Sequence, residues 1–341
     1  MLHFDCDYME GAHPEVMRRL VETNLEQCPG YGCDPHTAHA RELIRQACGT
    51  PEAEVYLLVG GTQTNATVID GLLRRHEGVL AATTGHINVH EAGAIEAAGH
   101  KVLTLPEHEG KVRADEVARY IEDFYRDETC EHMVAPGMLY ISHPTEFGTL
   151  YTLAELEALH DVCRRHSIPL YLDGARLSYA LAAEENQPSL RDIARLCDVF
   201  YIGGTKTGLL FGEAVVVTRS ALLPHFFTLV KQHGALLAKG RLLGIQFETL
   251  FTDELYLRIA RQAITTARRL KEALLRKGYR QYIDSPTNQQ FFVLPNSEID
   301  RLGQYATFEL WGARGERESV VRFVTSWATG EQQVDELIAR L

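Results

Sequence analysis

The sequence has no paired cysteine motif. Its seven cysteines are odd in number and scattered along 341 residues, and none belongs to a C-x-x-C pair. This pattern argues against a disulfide framework and against a cysteine zinc site. It is typical of reduced thiols, and we therefore expect a cytoplasmic protein.

Long apolar runs and an excess of positive charge are also missing. No stretch approaches the ~18 consecutive apolar residues of a membrane span, and residues 1–7 lack the basic start and apolar run of a secretory signal. Lys and Arg total 34 against 46 Asp and Glu, which gives a formal net charge of -12. A negative surface repels phosphate backbones and anionic lipid. We therefore expect no nucleic-acid partner and no membrane partner.

Short apolar runs alternate with amphipathic segments through most of the chain. The runs that read as buried strands are 55–59, 78–82, 138–141, 168–172, 199–202 and 213–217. Strands that alternate with helices predict an α/β fold with a mostly parallel sheet and helices on both faces. A long amphipathic helix is predicted from Thr252 to about Lys277. We predict a large α/β domain with an N-terminal arm at residues 1–248, and a small C-terminal α+β domain at 249–341.

The first strand run ends in a glycine-rich segment. Residues 60–65 read Gly-Gly-Thr-Gln-Thr-Asn and precede a helical pattern. A small polar turn between a strand and a helix gathers backbone N–H groups that can bind a phosphate. The Gly-Lys-Ser/Thr of a Walker A loop is absent, so phosphate binding of that kind is not expected. The alternative is a simple turn in which Thr62 or Thr64 caps the helix.

A pair of histidines follows the second strand run. His86 and His90 are four residues apart, so a helix would place them on one face. A metal would need a third ligand, usually in the order H-E-x-x-H, which is absent. We therefore predict no metal site, and we expect one of the two histidines to line a pocket.

Charged residues follow two further strand runs. Asp173 comes directly after the run 168–172. Lys206 comes after the run 199–202, two glycines and a threonine. A phosphate-binding turn, a carboxylate for a ring nitrogen and an amine for an aldehyde are the groups that bind pyridoxal phosphate. Arg176 could pair with the cofactor phosphate or with a substrate carboxylate. Taken singly, these residues could also be a helix cap, a surface charge and an exposed lysine.

Several segments resemble low-specificity L-threonine aldolases in their order and spacing. The segments are 31–35, 60–65, 85–88 with 91–93, 172–176, Lys206 and 320–325. These aldolases belong to the β-eliminating lyase group of fold-type I pyridoxal-phosphate enzymes. The resemblance implies cleavage of the Cα–Cβ bond of a β-hydroxy-α-amino acid into glycine and an aldehyde. It also implies a homodimer or homotetramer with the site at the subunit interface.

The resemblance implies a role for each residue that would bind the cofactor. Lys206 would form the Schiff base with the aldehyde, and Asp173 would pair with the ring nitrogen. Gly61 and Thr62 would bind the phosphate, and His86 would stack on the ring.

Other residues would bind the substrate or lie at the subunit boundary, by the same resemblance. Arg176 and Arg322 would hold the substrate carboxylate. Arg241 would lie near the cofactor phosphate and the subunit boundary, and Tyr31 would serve the neighbouring site.

Two positions depart from the family pattern. Cys6 stands where members usually have a serine that helps to hold the carboxylate, and Glu146 stands where they usually have a histidine linked to the β-hydroxyl group. We expect His86 to act as the catalytic base, with Glu146 as the alternative because burial would raise its pKa. The departures keep a β-elimination of another amino acid open as the alternative reaction. A scaffold protein without catalysis is disfavoured because Lys206 is present.

Overall fold

The computed structural model describes residues 1–341 and contains thirteen strands and fourteen α-helices. The strands are β1 (Leu2–His3), β2 (Glu54–Leu58), β3 (Glu77–Ala82), β4 (Val102–Leu105), β5 (Ala135–Ser142), β6 (Leu170–Asp173), β7 (Val199–Gly203), β8 (Glu213–Val217), β9 (Arg280–Ile283), β10 (Gln289–Pro295), β11 (Ala306–Thr307), β12 (Glu309–Leu310) and β13 (Glu318–Val324). The helices are α1 (Pro14–Glu22), α2 (Pro35–Cys48), α3 (Gly61–Leu72), α4 (His86–Val89), α5 (Ala94–Ala97), α6 (Ala114–Arg126), α7 (Leu153–Arg165), α8 (Leu177–Ala182), α9 (Leu190–Leu196), α10 (Phe226–Gln232), α11 (Arg241–Leu250), α12 (Leu255–Arg276), α13 (Asn296–Leu302) and α14 (Glu331–Ile338). None of these helices is long and apolar enough to cross a membrane.

The central sheet has seven strands in the order β2-β8-β7-β6-β5-β3-β4. The pairs from β7 to β4 are parallel, and β8 alone runs against both of its neighbours. The prediction of a mostly parallel sheet is therefore confirmed. Because β5, β6 and β7 are parallel, their last residues lie at one edge of the sheet. The reversed β8 brings its first residue, Glu213, to that same edge, opposite Gly203.

Both faces of the central sheet are covered by helices. Phe200 and Ile202 of β7 belong to one apolar cluster, together with residues of α2, α7, α9 and α11. Val199 and Tyr201 of the same strand belong to a second cluster, with residues of α3, α5 and α10. This alternation follows from the two-residue period of a strand. It explains why the strand runs are almost uniformly apolar.

The C-terminal part has its own four-stranded antiparallel sheet, in the order β12-β13-β10-β9. Its apolar cluster includes Phe292 and Phe323, and it also takes in Leu2 and Phe4 from the start of the chain. β1 pairs in parallel with β11, so the first residues pack on the last third of the sequence. The division of the chain between residues 248 and 249 stays a prediction.

The ends of two helices, α7 and α12, can be compared with the boundaries predicted from the sequence. The capping box of Thr152 and Glu155 is confirmed at the start of α7. The long helix α12 begins at Leu255, not at Thr252, because Asp253 and Glu254 adopt a left-handed backbone conformation that a helix cannot continue through. Its end at Arg276 matches the prediction to within a residue.

Candidate active site

A cavity of about 420 Å³ opens at the edge of the central sheet where β5, β6 and β7 end. Ligands of α/β proteins bind outside the carboxyl ends of the strands, and this cavity has that position. Most of the site residues predicted from the sequence line it. They are Gly61, Thr62, His86, Glu146, Asp173, Arg176 and Lys206.

Asp173 is the most densely hydrogen-bonded residue of the cavity. It is the last residue of β6 and is 5% exposed. Its Oδ1 accepts hydrogen bonds from the Tyr201 hydroxyl at 2.5 Å and from the Ala175 N–H at 2.9 Å. Its Oδ2 accepts from the Tyr140 hydroxyl at 2.7 Å and from Asn65 Nδ2 at 2.9 Å. Four donor atoms thus hold the carboxylate, which lines the cavity.

These contacts decide the charge of Asp173. Burial by itself would raise the pKa of the carboxyl, but the nearby His86 ring and the hydrogen bonds from Tyr201 and Asn65 lower it below the ordinary value of an aspartate. The group is therefore a carboxylate at neutral pH. It can pair with a positively charged nitrogen in the cavity.

His86 is held by a carboxylate behind it. It is the first residue of α4, and its Nδ1 lies 2.7 Å from Oε1 of Glu91. Glu91 is buried, and the same oxygen accepts a hydrogen bond from Asn65 Nδ2 at 2.7 Å. Because a carboxylate only accepts, Nδ1 carries a proton, and in the neutral imidazole Nε2 is the acceptor. This arrangement orients the imidazole as a base.

Glu146 lies in the loop after β5, next to His86. Its Oε1 accepts hydrogen bonds from the His86 backbone N–H at 2.9 Å and from the Ser142 hydroxyl at 2.7 Å. Burial raises the pKa of Glu146, and the Ser142 bond offsets this in part. His143, the nearest histidine in sequence, does not line the cavity: it is buried beside Asn186, and burial lowers its pKa to about 4.

The glycine-rich segment is the first turn of a helix. Helix α3 begins at Gly61 with Gly60 as its N-cap, so the alternative of a cap by Thr62 or Thr64 is wrong. The backbone N–H groups of Gly61, Thr62 and Gln63 have no acceptor in the chain, as the first turn of a helix requires. Free N–H groups at the positive end of a twelve-residue helix form an anion site in the cavity wall.

Lys206 projects from the turn after β7. Its Nζ makes no hydrogen bond or ion pair, and it lies 5.9 Å from the centre of the Tyr8 ring. Burial and the nearby Arg176 lower the pKa of the amine, against the opposing effect of the carboxylates around it. A lowered pKa increases the fraction of the amine that is neutral and therefore nucleophilic.

Arg176 forms an ion pair with Asp7, which was not predicted from the sequence. Its Nε and Nη2 donate to the two oxygens of Asp7 at 2.7 and 3.0 Å. Asn288 Nδ2 donates to the same carboxylate at 2.9 Å. Asp7 therefore holds Arg176 at the cavity through two of the five guanidinium N–H donors.

Arg322, the other predicted carboxylate ligand, is not among the residues that line the cavity. It donates to Gln289 at 2.8 Å and to Glu309, and its guanidinium lies 5.2 Å from the centre of the Trp311 ring. Its Nε is buried without a partner. Burial and the charge of Arg176 lower its pKa.

Arg241 and Tyr31 lie away from the cavity of their own chain. Arg241 donates to the backbone carbonyls of Thr23 and Asn24 at 2.8 and 2.9 Å. Tyr31 is exposed, and the Lys231 amine lies 4.6 Å from its ring centre. Their expected service at a neighbouring subunit stays a prediction.

Sequence reasoning missed the groups that support the site. Asn65, Glu91, Tyr140 and Tyr201 contact the predicted residues, and Glu213 lines the cavity. Asn65 and Glu91 stand inside segments already noted for their family resemblance, which was the available signal. Nothing in the sequence distinguishes the tyrosines from ordinary core residues.

The donor set of the cavity fits pyridoxal phosphate. The free N–H groups of α3 suit a phosphate, the Asp173 carboxylate suits a protonated ring nitrogen, and the unpaired Lys206 amine suits an aldehyde. The Thr64 hydroxyl and Gln63 Oε1 are also buried without partners next to these N–H groups.

Comparison with known proteins identifies the family. The family model of β-eliminating lyases matches residues 4–295. A low specificity L-threonine aldolase of Pseudomonas aeruginosa is 31% identical over 343 residues, which cover 98% of this chain and 95% of that protein. A structure of a threonine aldolase from Leishmania major is 42% identical, with a TM-score of 0.96 over 99% of this chain and 98% of that one.

A more distant match concerns the fold alone. Aspartate aminotransferase of Thermus thermophilus is 18% identical, with a TM-score of 0.70 over 100% of this chain and 90% of that one. The fold is thus the one predicted, that of the fold-type I pyridoxal-phosphate enzymes. The chain belongs to the β-eliminating lyase family and is a pyridoxal-phosphate-dependent lyase.

Proposed function

We propose that the protein is a threonine aldolase, which cleaves the Cα–Cβ bond of threonine or a related β-hydroxy-α-amino acid to glycine and an aldehyde. The observation that carries this proposal is the similarity over nearly the whole chain to proteins named as threonine aldolases. The grouping of Lys206, Asp173, His86 and Glu146 around one cavity supports it.

Bound pyridoxal phosphate would supply an aldehyde that captures amines and a ring that withdraws electrons from the substrate α-carbon. Lys206 is the proposed covalent anchor, since its lowered pKa favours the neutral amine. Asp173 is the proposed partner of the ring nitrogen, and the N–H groups of Gly61 and Thr62 are the proposed phosphate ligands.

Cleavage requires a base that takes the proton of the substrate β-hydroxyl group. His86 is our proposed base, because Glu91 orients its ring and leaves Nε2 as an acceptor. Glu146 is the alternative base, and its raised pKa is consistent with such a role. In the proposed assignment Glu146 instead positions His86 through the backbone N–H.

The substrate carboxylate needs a cationic ligand. Arg176 lines the cavity and uses only its Nε and one Nη2 donor on Asp7, whereas Arg322 is not a lining residue and donates to Gln289 and Glu309. We therefore propose Arg176 as the main carboxylate ligand, with Arg322 in a supporting position. Cys6, near Arg322, replaces the serine that is usual in the family.

The proposal is tested by incubating the purified holoenzyme with L-threonine and with L-allo-threonine, and by measuring glycine and acetaldehyde. We expect both products in equal amounts from at least one substrate, and none from a Lys206→Ala variant. Ammonia and a keto acid in their place would indicate β-elimination. The absence of aldehyde from both substrates, with cofactor bound, would exclude this aldolase activity.

The working form is proposed to be a homodimer or homotetramer in the cytoplasm, with each site completed by a neighbouring subunit. The free state of all seven cysteines is consistent with a reducing compartment. Tyr31 and Arg241, which lie outside their own cavity, are the residues expected at the subunit boundary.

A further inference from the structure

The cavity contains a buried carboxyl group that the proposed reaction does not use. Glu213 is the first residue of β8 and is 3% exposed. It reaches the cavity because β8 is antiparallel and places it opposite Gly203, the last residue of β7, and Leu58 of β2. Glu213 therefore lies between the turn that carries Lys206 and the start of α3.

Both oxygens of Glu213 hold the backbone just before Lys206. Oε2 accepts the Gly204 N–H at 3.1 Å, and Oε1 accepts the Thr205 hydroxyl at 2.7 Å. The Thr205 oxygen in turn accepts the Gly212 N–H at 3.1 Å. The turn is thus tied to the carboxyl group on one side and to the start of β8 on the other.

The other charged groups that act on the Lys206 amine are hydrogen-bonded to other residues. They are those of Arg176, Asp7 and Asp173. Asp7 is bound by Arg176 in two hydrogen bonds, so the charges of that pair offset one another at Lys206. Asp173 accepts hydrogen bonds from two tyrosine hydroxyls and an amide, and its charge also acts on Lys206.

Lys206 is the cationic group whose charge acts on Glu213, and the two side chains form no ion pair. Apart from Lys206 and Asp173, the titratable groups that feel its charge are the buried hydroxyls of Tyr171, Tyr201 and Tyr256. Burial raises the pKa of Glu213 to about 8, although its hydrogen bonds and Lys206 act in the other direction. The charge of this carboxyl group therefore changes close to neutral pH.

We propose that Glu213 is a positioning residue for Lys206: it fixes the Gly204–Thr205 turn and, when ionised, adds a negative charge that stabilises the protonated nitrogen of Lys206. An ionised Glu213 favours the protonated nitrogen, and a neutral one favours the unprotonated nitrogen that can attack an aldehyde. This inference rests on the proposed role of Lys206 as the cofactor anchor, and it does not depend on which amino acid is cleaved.

The test is a pH titration of the visible absorption band of the cofactor bound to the holoenzyme, without substrate. In a Glu213→Gln variant the side chain can keep both contacts, because its oxygen accepts the Gly204 N–H and its amide donates to the Thr205 oxygen. The negative charge is lost, and the Thr205 hydroxyl, which donates to Glu213 in the wild type, loses that acceptor. We expect the titration midpoint to fall by about one pH unit, since the protonated nitrogen loses a stabilising charge.

Two threonines of the same turn provide a matched pair. Thr205→Val removes a hydrogen bond that stabilises the ionised form of Glu213, so its midpoint should fall by a smaller amount in the same direction. Thr207 bonds the Ser178 hydroxyl at 2.7 Å and contacts no carboxylate, so Thr207→Val should titrate like the wild type. A Glu213→Asp variant keeps the negative charge, so its titration midpoint should stay close to that of the wild type.

The outcomes separate this inference from the proposed function. Wild-type midpoints in both Glu213→Gln and Thr205→Val would overturn it, as would an equal shift in Thr207→Val. If Glu213→Gln does not fold, the comparison of Thr205→Val with Thr207→Val decides. A protein that titrates as expected but does not cleave threonine would refute the aldolase proposal and leave the role of Glu213 standing.

Discussion

Asp7 and Arg176 form a buried two-pronged ion pair, with Nε to Oδ2 at 2.7 Å and Nη2 to Oδ1 at 3.0 Å. The two residues are 169 positions apart. Asp7 follows β1, which pairs with β11 of the C-terminal part, so this contact joins the N-terminal segment, the C-terminal part and the wall of the cavity. Asn288 completes the link through its bond to Asp7.

The ion pair predicts a large loss of stability on neutralising Asp7. Asp7→Asn would leave the buried Arg176 charge without a counter-charge, and we expect a cost of about 3 kcal/mol in the free energy of unfolding. Denaturant unfolding measures it. Asp5→Asn, two residues away and more exposed, is the control and should cost under about 1 kcal/mol. Equal unfolding curves for Asp7→Asn and the wild type would contradict this interpretation.

The covalent anchor can be identified directly. Borohydride reduction of the holoenzyme should fix the cofactor on Lys206, because its amine is unpaired and faces the cavity. Peptide mass spectrometry locates the label. Lys231 and Lys239 serve as internal controls and should remain unlabelled; a label on either of them would refute the assignment.

The choice of base predicts unequal effects at two neighbouring residues. His86→Phe keeps an aromatic ring but removes the acceptor, and we expect kcat to fall by at least about 100-fold. Glu146→Gln keeps an oxygen that can accept from the His86 N–H and from Ser142, so kcat should fall by about tenfold or less. Steady-state kinetics over a range of pH compares them. The reverse order of effects would make Glu146 the base.

The raised pKa of Glu213 predicts a dependence of stability on pH. Its folded-state pKa of about 8 lies above the ordinary value of 4.5, so the folded protein holds this proton more tightly than the unfolded chain does. The contribution of this proton to the free energy of unfolding is fully present below pH 4.5 and is lost as the pH rises to about 8. Thermal unfolding should therefore show a smaller loss of stability over this range in Glu213→Gln than in the wild type. Parallel curves would argue against a buried, titrating Glu213.

A site shared between subunits predicts complementation. Tyr31→Ala and Lys206→Ala homo-oligomers should each be nearly inactive, one for lack of the neighbour's side chain and the other for lack of the anchor. Mixing them under conditions that exchange subunits should restore activity, because some hybrid sites contain both intact residues. Light scattering gives the size of the assembly. No recovery in mixtures that do exchange would place Tyr31 outside the neighbouring site.

Part of the site could be predicted from local patterns. Asp173 and Lys206 each follow an apolar run, and the ends of parallel strands meet at one edge of a sheet. The same argument brings the segment after β2 to that edge. These predictions needed only the period of the strands and the alternation of strands with helices.

The supporting contacts could not be predicted in this way. Asn65 reaches both Glu91 and Asp173 through one amide nitrogen, and the second partner is 108 residues away. The contacts of Arg322 with Gln289 and Glu309 join separate parts of the C-terminal sheet and were likewise not predicted. Such pairings depend on how separate elements pack, which no pattern within an element encodes.

The sequence by itself determined the class of fold and the cofactor, and it predicted Lys206 as the anchor, because each inference depends on short-range patterns of apolar, glycine and charged residues. The tertiary structure decided which charges surround that lysine. Asp7 arrives from the N-terminal segment, and Glu213 arrives because one strand of the sheet is reversed. The physical reason is that the charge state of a buried group is set by its neighbours in space, whatever their distance along the chain.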